Sequence, residues 1–317
     1  MDMPQIRIVF MGSAELSRVI LCALLKVKDF SVVGVVTQPD RPKGRDLKVK
    51  PSPVKELACA VGIPVLQPER VRDESFISQL RSLQPDLIAV AAYGQILPKD
   101  ILELPRFGCV NVHTSLLPKY RGAAPIQWAI LNGDTETGVT IIKMDPGMDS
   151  GDILAQQATP IHAHDNAETL HDRLATIGAE LLVQTITDYV TGKIRPSPQP
   201  TEGVVYAPKI KKEDGRIDWH QPAQVIRNRI RAFTPWPGAF TFMPSSPQPL
   251  LLKIWQVEVV ELAGAPGEIL RADKTGLIVA CGRDALKVLC VQKEGGRRMD
   301  ASAFLAGHAL KPGQRLG

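Results

Sequence analysis

The chain has 317 residues, of which 44% are hydrophobic and 22% are charged. This composition is typical of a globular protein and excludes a fibrous or a disordered chain. The length exceeds that of one ordinary core, so we predict two domains. Aromatic residues make up only 5%, which argues against a surface built mainly on base-stacking rings.

The net charge of +5 is concentrated in the C-terminal third. Residues 205–317 hold 17 Lys and Arg against 10 Asp and Glu, a net charge of +7, whereas residues 1–204 hold 21 against 23. An excess of Lys and Arg favours a polyanionic partner, because these side chains gain free energy from phosphates by releasing counterions. A basic domain without such a partner is the alternative.

The sequence predicts a cytoplasmic protein. The number of cysteines is odd and no C-x-x-C is present, which favours a reducing compartment over a disulfide framework or a zinc site. The N-terminus enters a strand pattern at Ile6, without a signal-peptide or transit-peptide layout. No apolar run reaches the ~18 residues of a membrane span. The cysteines are Cys22, Cys59, Cys109, Cys281 and Cys290.

Short β-branched runs alternate with helical patterns through the first 190 residues. This rhythm predicts an α/β fold, a Rossmann-like, doubly wound and mostly parallel sheet. The predicted strands are 6–11, 31–37, 64–66, 86–92, 108–114, 138–144 and 152–161, and the last two are expected to pair antiparallel. The predicted helices are 12–25, 54–60, 73–83 and 167–190.

Residues 191–203 contain three prolines and show no periodicity, which is typical of a linker. Beyond it we predict a helix at 222–233 and short strands at 238–242, 251–259, 276–280 and 285–293. Short, evenly spaced strands with Gly/Pro turns indicate a small OB-like β-barrel. The predicted organisation is a catalytic domain at 1–190, a linker at 191–208 and a C-terminal β-barrel domain at 209–317.

The segment Val110–Gly122 holds the first candidate catalytic residues. Asn111 and His113 alternate along a predicted strand, so their side chains share one face near its carboxyl end. Open α/β sheets bind ligands at that end. An amide beside an imidazole suits a carbonyl oxygen that becomes an oxyanion. A polar pair that merely closes a strand is the alternative, and Cys109, two residues earlier, is expected to be packing.

The segment Met144–Asp152 holds three aspartates and two glycines between two predicted strands. Asp149 is positioned to approach His113, raise its pKa and orient its ring. Asp145 and Asp152 have an alternative role as turn residues, since Asp-Pro-Gly and Gly-Asp are common in loops. A metal site is disfavoured, because the spacing matches no cation-binding loop.

A third segment, directly after the second strand, is rich in basic residues. A solvated basic loop is one interpretation, but its place at the ligand side of the sheet favours contact with a phosphate backbone. The turn after the first strand reads Gly12-Ser-Ala-Glu-Leu16, so a G-x-G-x-x-G dinucleotide motif is absent. The basic residues are Arg41, Lys43, Arg45, Lys48 and Lys50.

From Asn-Val-His-Thr-Ser-Leu-Leu-Pro-Lys-Tyr-Arg-Gly-Ala-Ala-Pro-Ile-Gln-Trp-Ala-Ile (111–130), the sequence resembles the methionyl-tRNA formyltransferases. The match continues in 144–152, in Gln-Pro-Asp-Arg-Pro (38–42), in Tyr-Ala-Pro-Lys-Ile (206–210), in Gly-Arg-Ile-Asp-Trp (215–219) and in 230–238. It covers nearly the whole chain. The Ser-Leu-Leu-Pro part alone would indicate only the wider group of folate-dependent formyltransferases.

The resemblance implies that a formyl group moves from 10-formyltetrahydrofolate to the amino group of methionyl-initiator tRNA, for translation initiation. It implies Asn111, His113 and Asp149 as the catalytic trio, with protonated His113 at the oxyanion, and no metal. The implied folate contacts are Ile96, Leu97, Ser115, Leu116, Leu117, Pro118 and Asp145. The implied tRNA contacts are Arg41, Lys43, Arg45, Lys48 and Lys209, on a chain expected to be a monomer.

Three alternatives stay open. A folate-dependent formyltransferase for a small amine, such as glycinamide ribotide or an amino sugar, would need neither the basic loop nor the basic domain. A nicotinamide oxidoreductase is disfavoured by the missing glycine motif. A tRNA-binding protein without activity would make the trio dispensable.

Overall fold

The computed structural model describes residues 5–43, 48–245, 248–308 and 310–317. The first elements are β1 (Ile6–Gly12), α1 (Glu15–Leu24), β2 (Phe30–Val36), β3 (Arg41–Lys43), β4 (Lys48–Lys50), α2 (Pro53–Ala60), β5 (Val65–Leu66), α3 (Glu74–Ser82) and β6 (Leu87–Ala91). The next are α4 (Lys99–Leu102), β7 (Cys109–His113), β8 (Arg121–Gly122), α5 (Pro125–Leu131), β9 (Glu136–Lys143), β10 (Asp152–Pro160) and α6 (Ala167–Val190).

The remaining elements begin with β11 (Tyr206–Ala207) and a 3-10 turn at Glu213–Gly215. They continue with α7 (Ala223–Ala232), β12 (Ala239–Met243), β13 (Leu250–Val260), β14 (Ile269–Asp273), β15 (Gly276–Ala280), β16 (Ala285–Lys293), β17 (Met299–Asp300) and α8 (Ala301–Gly307). None of the described helices is long and apolar enough to cross a membrane.

The chain divides into two compact units, each assembled from separated stretches of sequence. Unit 1 comprises residues 1–122, 136–160 and 171–207. Unit 2 comprises residues 123–135, 161–170 and 208–317. Unit 2 therefore contains α5 and the stretch before α6 in addition to the basic C-terminal third.

Unit 1 is built on a seven-stranded sheet with the order β10-β9-β7-β6-β1-β2-β5. The five strands from β7 to β5 are parallel, whereas β9 runs antiparallel to both β7 and β10. All five residues of β6 (Leu-Ile-Ala-Val-Ala) are buried, as expected for a parallel strand that is covered on both faces. The predicted mostly parallel α/β sheet, and its antiparallel β9–β10 pair, are confirmed.

Unit 2 contains an antiparallel sheet in which β12, β13, β16, β15 and β14 follow one another and β17 pairs with β16. Its core combines inward-facing strand residues with apolar residues of α7 and α8, such as Ile226, Ile230 and Phe304. The predicted C-terminal β structure is confirmed as an antiparallel sheet, whereas its OB-like barrel form and its boundary at residue 209 stay predictions. Strand β14 and helix α8 were not predicted, because each is short and lies among Gly, Asp and Lys residues.

Two further segments carry structure that the sequence pattern did not predict. The basic segment after β2 forms a small antiparallel hairpin, in which Arg41 pairs with Lys50 and Lys43 with Lys48. The stretch predicted as a linker belongs to unit 1 as far as residue 207: Ser197 forms an isolated β-bridge with Ile153, and β11 pairs with β8. Proline and glycine conceal these contacts, because both residues suppress the periodicity by which strands are recognised.

Candidate active site

Asn111 and His113 lie on β7, in the middle of the unit 1 sheet. In register, Asn111 lies beside Val90 of β6 and Ile142 of β9, and His113 lies beside Thr140. His113 is 5% exposed, whereas Asn111 is half-buried. Among the described residues none makes a hydrogen bond to the Asn111 side chain, so its amide is available to a ligand.

The hydrogen bonds of His113 define which ring nitrogen faces the site. Nε2 lies 2.9 Å from the backbone oxygen of Tyr120. A carbonyl oxygen only accepts, so Nε2 carries the proton, and Nδ1 is the nitrogen that titrates. Nδ1 lies 3.6 Å from Oδ2 of Asp149. Burial lowers the pKa of His113, and the Asp149 charge and the Tyr120 bond oppose that shift, so the ring is neutral near pH 7.

Asp149 reaches His113 because its loop folds back along β7. The loop leaves β9 at the start of β7, where Met144 donates from its backbone to the oxygen of Cys109, 2.8 Å away. Asp149 nevertheless contacts His113, at the other end of that strand. Asp149 has φ of +50°, in the left-handed region, and its Oδ2 accepts from the Gly122 backbone N–H at 2.9 Å. Its carboxylate therefore has a fixed direction.

Gln199 closes a hydrogen-bond network around this loop. Its Nε2 donates to the backbone oxygens of Asp149 at 2.8 Å and Gly151 at 2.7 Å. Its Oε1 accepts from the Arg121 guanidinium at 2.7 and 3.1 Å. Arg121 precedes Gly122, whose N–H donates to the Asp149 carboxylate. The Gln199 side chain therefore holds both the backbone of Asp149 and the residue next to its hydrogen-bond donor. Gln199 was not predicted, since a glutamine between two prolines carries no recognisable signal in the sequence.

A small cavity of about 120 Å³ lies beside the trio. Ile96, Leu97 and Asp145 line it together with Asp149 and Met144. Ile96 is 77% exposed and Leu97 is 3% exposed, so only the first offers a large free apolar surface. Asp145 accepts from the Ser150 hydroxyl at 2.9 Å and from Gly147 N–H at 3.1 Å, so it also organises the loop. Three of the expected folate contacts are thus brought together.

The four other expected folate contacts follow β7 directly and do not line this cavity. Ser115 is buried and donates to the Lys119 oxygen at 2.6 Å, and Leu117 is buried with its N–H bonded to Thr140. Leu116 and Pro118 are half-buried. These contacts indicate that Ser115–Pro118 shape the turn that places the Tyr120 oxygen next to His113. Their contact with folate stays a prediction.

The expected tRNA contacts are divided between the basic hairpin of unit 1 and Lys209 of unit 2. Arg41 is exposed, with its guanidinium 3.9 Å from Glu69. Lys43 and Lys48 have described backbones on β3 and β4, whereas Arg45 and the side chains of these two lysines lie outside the described residues. Lys209 is exposed in unit 2 and lines a cavity of about 420 Å³ beside α5 and α7.

Cys109 is a buried core residue, in agreement with the expectation that its role is packing and not catalysis. Its side chain is 1% exposed, and burial raises the pKa of its thiol to about 12, so a thiolate nucleophile is not available there. Among the described residues no group of three or more His, Cys, Asp or Glu side chains is arranged to hold a metal ion.

Comparison with known proteins defines the class. The family model "Formyl transferase" matches residues 6–186, and "Formyl transferase, C-terminal domain" matches residues 209–309. The chain belongs to the formyltransferase family. Two relatives are each named methionyl-tRNA formyltransferase. That of Citrifermentans bemidjiense is 50% identical over 99% of this chain and 98% of its own length. That of Caldanaerobacter subterraneus is 50% identical over 98% of this chain and 99% of its own.

Solved structures share the fold at lower identity. HypX from Aquifex aeolicus in complex with tetrahydrofolic acid is 17% identical, with a TM-score of 0.63. The match covers 97% of this chain, which spans about half of HypX, 48% of that chain. An N-formyltransferase from Helicobacter canadensis, in complex with folinic acid and dTDP-3-aminofucose, is 19% identical with a TM-score of 0.63. That match covers 90% of this chain and 99% of the other.

Proposed function

We propose that this enzyme transfers the formyl group of 10-formyltetrahydrofolate to the amino group of methionyl-initiator tRNA, which yields N-formylmethionyl-tRNA for translation initiation. The assignment of the substrate rests on the full-length identity of about 50% to methionyl-tRNA formyltransferases. The convergence of Asn111, His113 and Asp149 at one end of β7 supports the chemistry.

The mechanism starts from a neutral His113. Burial keeps the ring uncharged, and the Tyr120 oxygen keeps the proton on Nε2, so Nδ1 has a free lone pair. As the acceptor nitrogen attacks the formyl carbon and a C–N bond forms, Nδ1 takes the proton from that nitrogen. The resulting imidazolium is stabilised by the Asp149 carboxylate 3.6 Å away. His113 thus becomes protonated during the reaction rather than before it.

The unpaired amide of Asn111 shares a strand face with His113. It donates to the oxyanion of the tetrahedral intermediate, together with the protonated ring. Collapse of the intermediate breaks the bond from the formyl carbon to N10 of the folate. N10 takes the proton from His113, so tetrahydrofolate leaves and the neutral ring is restored. No covalent bond to the protein forms in this sequence.

The donor site is proposed to include the cavity formed by Ile96, Leu97 and Met144. An exposed isoleucine beside buried apolar side chains suits a flat, partly apolar ring system. The tRNA is proposed to contact the basic hairpin, at Arg41, Lys43, Arg45 and Lys48, and Lys209 of unit 2. The net charge of +7 over residues 205–317 supports the second contact.

Formyl transfer from 10-formyltetrahydrofolate, measured with three acceptors in parallel, tests the proposal. Formylation of charged initiator methionyl-tRNA, but not of elongator methionyl-tRNA or glycinamide ribotide, is expected. Transfer to the small amine alone would retain the chemistry and refute the tRNA substrate. Alanine at Asn111, His113 or Asp149 should abolish turnover with tRNA binding retained, whereas His220→Ala, at an exposed histidine, serves as the control.

We also propose a cytoplasmic location and a monomeric state. The five cysteines are all free thiols, which suits a reducing compartment. Sedimentation equilibrium of the full chain tests the oligomeric state, and a mass twice that of the 34.6 kDa chain would refute the monomer.

A further inference from the structure

A third cavity, far larger than the one beside the trio, is lined by residues of unit 2 alone. Its volume is about 530 Å³, in the range of small-molecule sites. One wall is α7, the second is the stretch 163–166 before α6, and the third consists of β13, β16 and Arg298. We call it the arginine cavity, after Arg227, Arg231 and Arg298.

The three guanidiniums of this cavity make no ion pair with any carboxylate in the described part of the chain. Arg227 donates to the Ala163 oxygen at 2.7 Å, and Arg231 donates to the same oxygen at 2.9 Å and to that of His162 at 3.2 Å. Arg298 stacks on Trp255, with its guanidinium carbon 3.6 Å from the ring centroid. Neutral carbonyls and an aromatic ring thus hold three positive charges in place without neutralising them.

The two positive charges on α7 repel one another. Arg227 and Arg231 are four residues apart on one face of α7, where like charges repel. Burial, and then the charge of Arg227, lowers the pKa of Arg231, and only Asp165 acts in the opposite direction. The Arg231 Nε is buried without a hydrogen-bond partner among the described residues. Among the described residues that line the cavity, Glu258 is the one acid; it is exposed and lies 3.3 Å from Lys287.

We propose that the arginine cavity binds a phosphate group. Guanidinium forks match phosphate oxygens in pairs, and several arginines around one recess are the usual arrangement for that anion. The bound phosphate belongs either to a nucleic-acid backbone or to a free phosphorylated small molecule. The first source rests on the proposed tRNA substrate, whereas the phosphate site itself does not.

Isothermal titration calorimetry of the full chain with inorganic phosphate and with pyrophosphate, at constant ionic strength, tests the site. Arg227→Gln and Arg298→Gln should each weaken binding about tenfold, because each removes hydrogen bonds to a charged group. Arg298 is exposed, so its replacement leaves the core intact. Arg283→Gln, at an exposed arginine beside Asp284, is the matched control and should bind like the wild type.

A second experiment measures binding of tRNA that carries no amino acid over a range of salt concentrations. It distinguishes the two possible sources of the bound phosphate. If the phosphate is part of the tRNA, pyrophosphate competes with tRNA, and each variant lowers the salt slope by about 1. If it belongs to a small molecule, pyrophosphate binds without displacing tRNA. Absence of phosphate and pyrophosphate binding, or equal binding by the wild type and both variants, would overturn the site. Formyl transfer is measured separately, so failure of the site and failure of the proposed function are distinguishable.

Discussion

Replacement of Gln199 by methionine tests whether the segment after α6 positions the catalytic carboxylate. Methionine retains the length of glutamine but removes four hydrogen bonds, two to the backbone oxygens of Asp149 and Gly151 and two from Arg121. Each is worth about 0.5–1.5 kcal/mol net when intact. Gln199 is half-buried, so water replaces part of them. We expect the free energy of unfolding to fall by about 1–2 kcal/mol.

The effect on catalysis should exceed the effect on binding. A carboxylate displaced by about 1 Å costs up to roughly a hundredfold in rate, so we expect kcat to fall about 10- to 100-fold. The KM for either substrate should change little. Because the Asp149 charge raises the pKa of His113 against the effect of burial, losing its orientation should lower that pKa further. The acidic limb of the pH–rate profile should therefore move to lower pH.

The assay is initial-rate formyl transfer from pH 5 to 9, with an NMR titration of the His113 ring as a direct readout. The control is Gln184→Met, at an exposed glutamine of α6 whose amide donates to the Asp188 carboxylate. A purely structural role would lower the melting temperature and leave the pH profile unchanged. An unchanged acidic limb, with kcat within twofold of the wild type, would refute the positioning argument.

Three further expectations follow from single residues. His113 has a lowered pKa in the folded state, so between its ordinary value of 6.5 and that lower value the unfolded chain binds more protons. The free energy of unfolding should thus decline from pH 7 to 5 more steeply in the wild type than in His113→Gln, and equal slopes in denaturant titrations would contradict this. Gly122→Ala places a Cβ 2.7 Å from the Ala207 oxygen at φ of +126° and should lose more stability and activity than Gly203→Ala, whose φ is +77° in open space; equal melting temperatures would argue against a tight contact. Tyr93→Phe removes a buried hydroxyl that has no hydrogen-bond partner in the described residues, and should raise the free energy of unfolding by about 1 kcal/mol, whereas a loss in urea titrations would reveal a partner.

The sequence predicts those elements whose physical signal is local. Helix α6 repeats its apolar residues at helical spacing, and β6 is a continuous apolar run, so both were assigned within a residue or so. Helix α5 was not predicted, because Pro125–Leu131 is short and its apolar residues, buried on nearly every side, show no polar face. Its position is fixed by packing against α7, almost a hundred residues later in the chain.

The candidate site was predicted in part. Alternation along β7 was sufficient to put Asn111 and His113 on one face. The approach of Asp149 depends on a left-handed backbone at that residue and on a loop that folds back, and neither is visible in a pattern. The tautomer of His113 depends on the Tyr120 oxygen, which a turn brings to Nε2. Gln199 and the arginine cavity depend on contacts between distant segments, for which one sequence provides no signal.

The discontinuous make-up of unit 2 has a consequence for the order in which the protein forms on the ribosome. The chain crosses between the units at five places, after residues 122, 135, 160, 170 and 207. Helix α5 emerges early with Ile126 and Ile130 to bury, whereas α7, against which it packs, is made much later. The indole N–H of Trp128 likewise lacks its acceptor, the Pro208 oxygen at 2.9 Å in the complete fold, until residue 208 has been made. We therefore expect this apolar helix to be exposed during synthesis, and a chain that ends before α7 to be prone to aggregation through it.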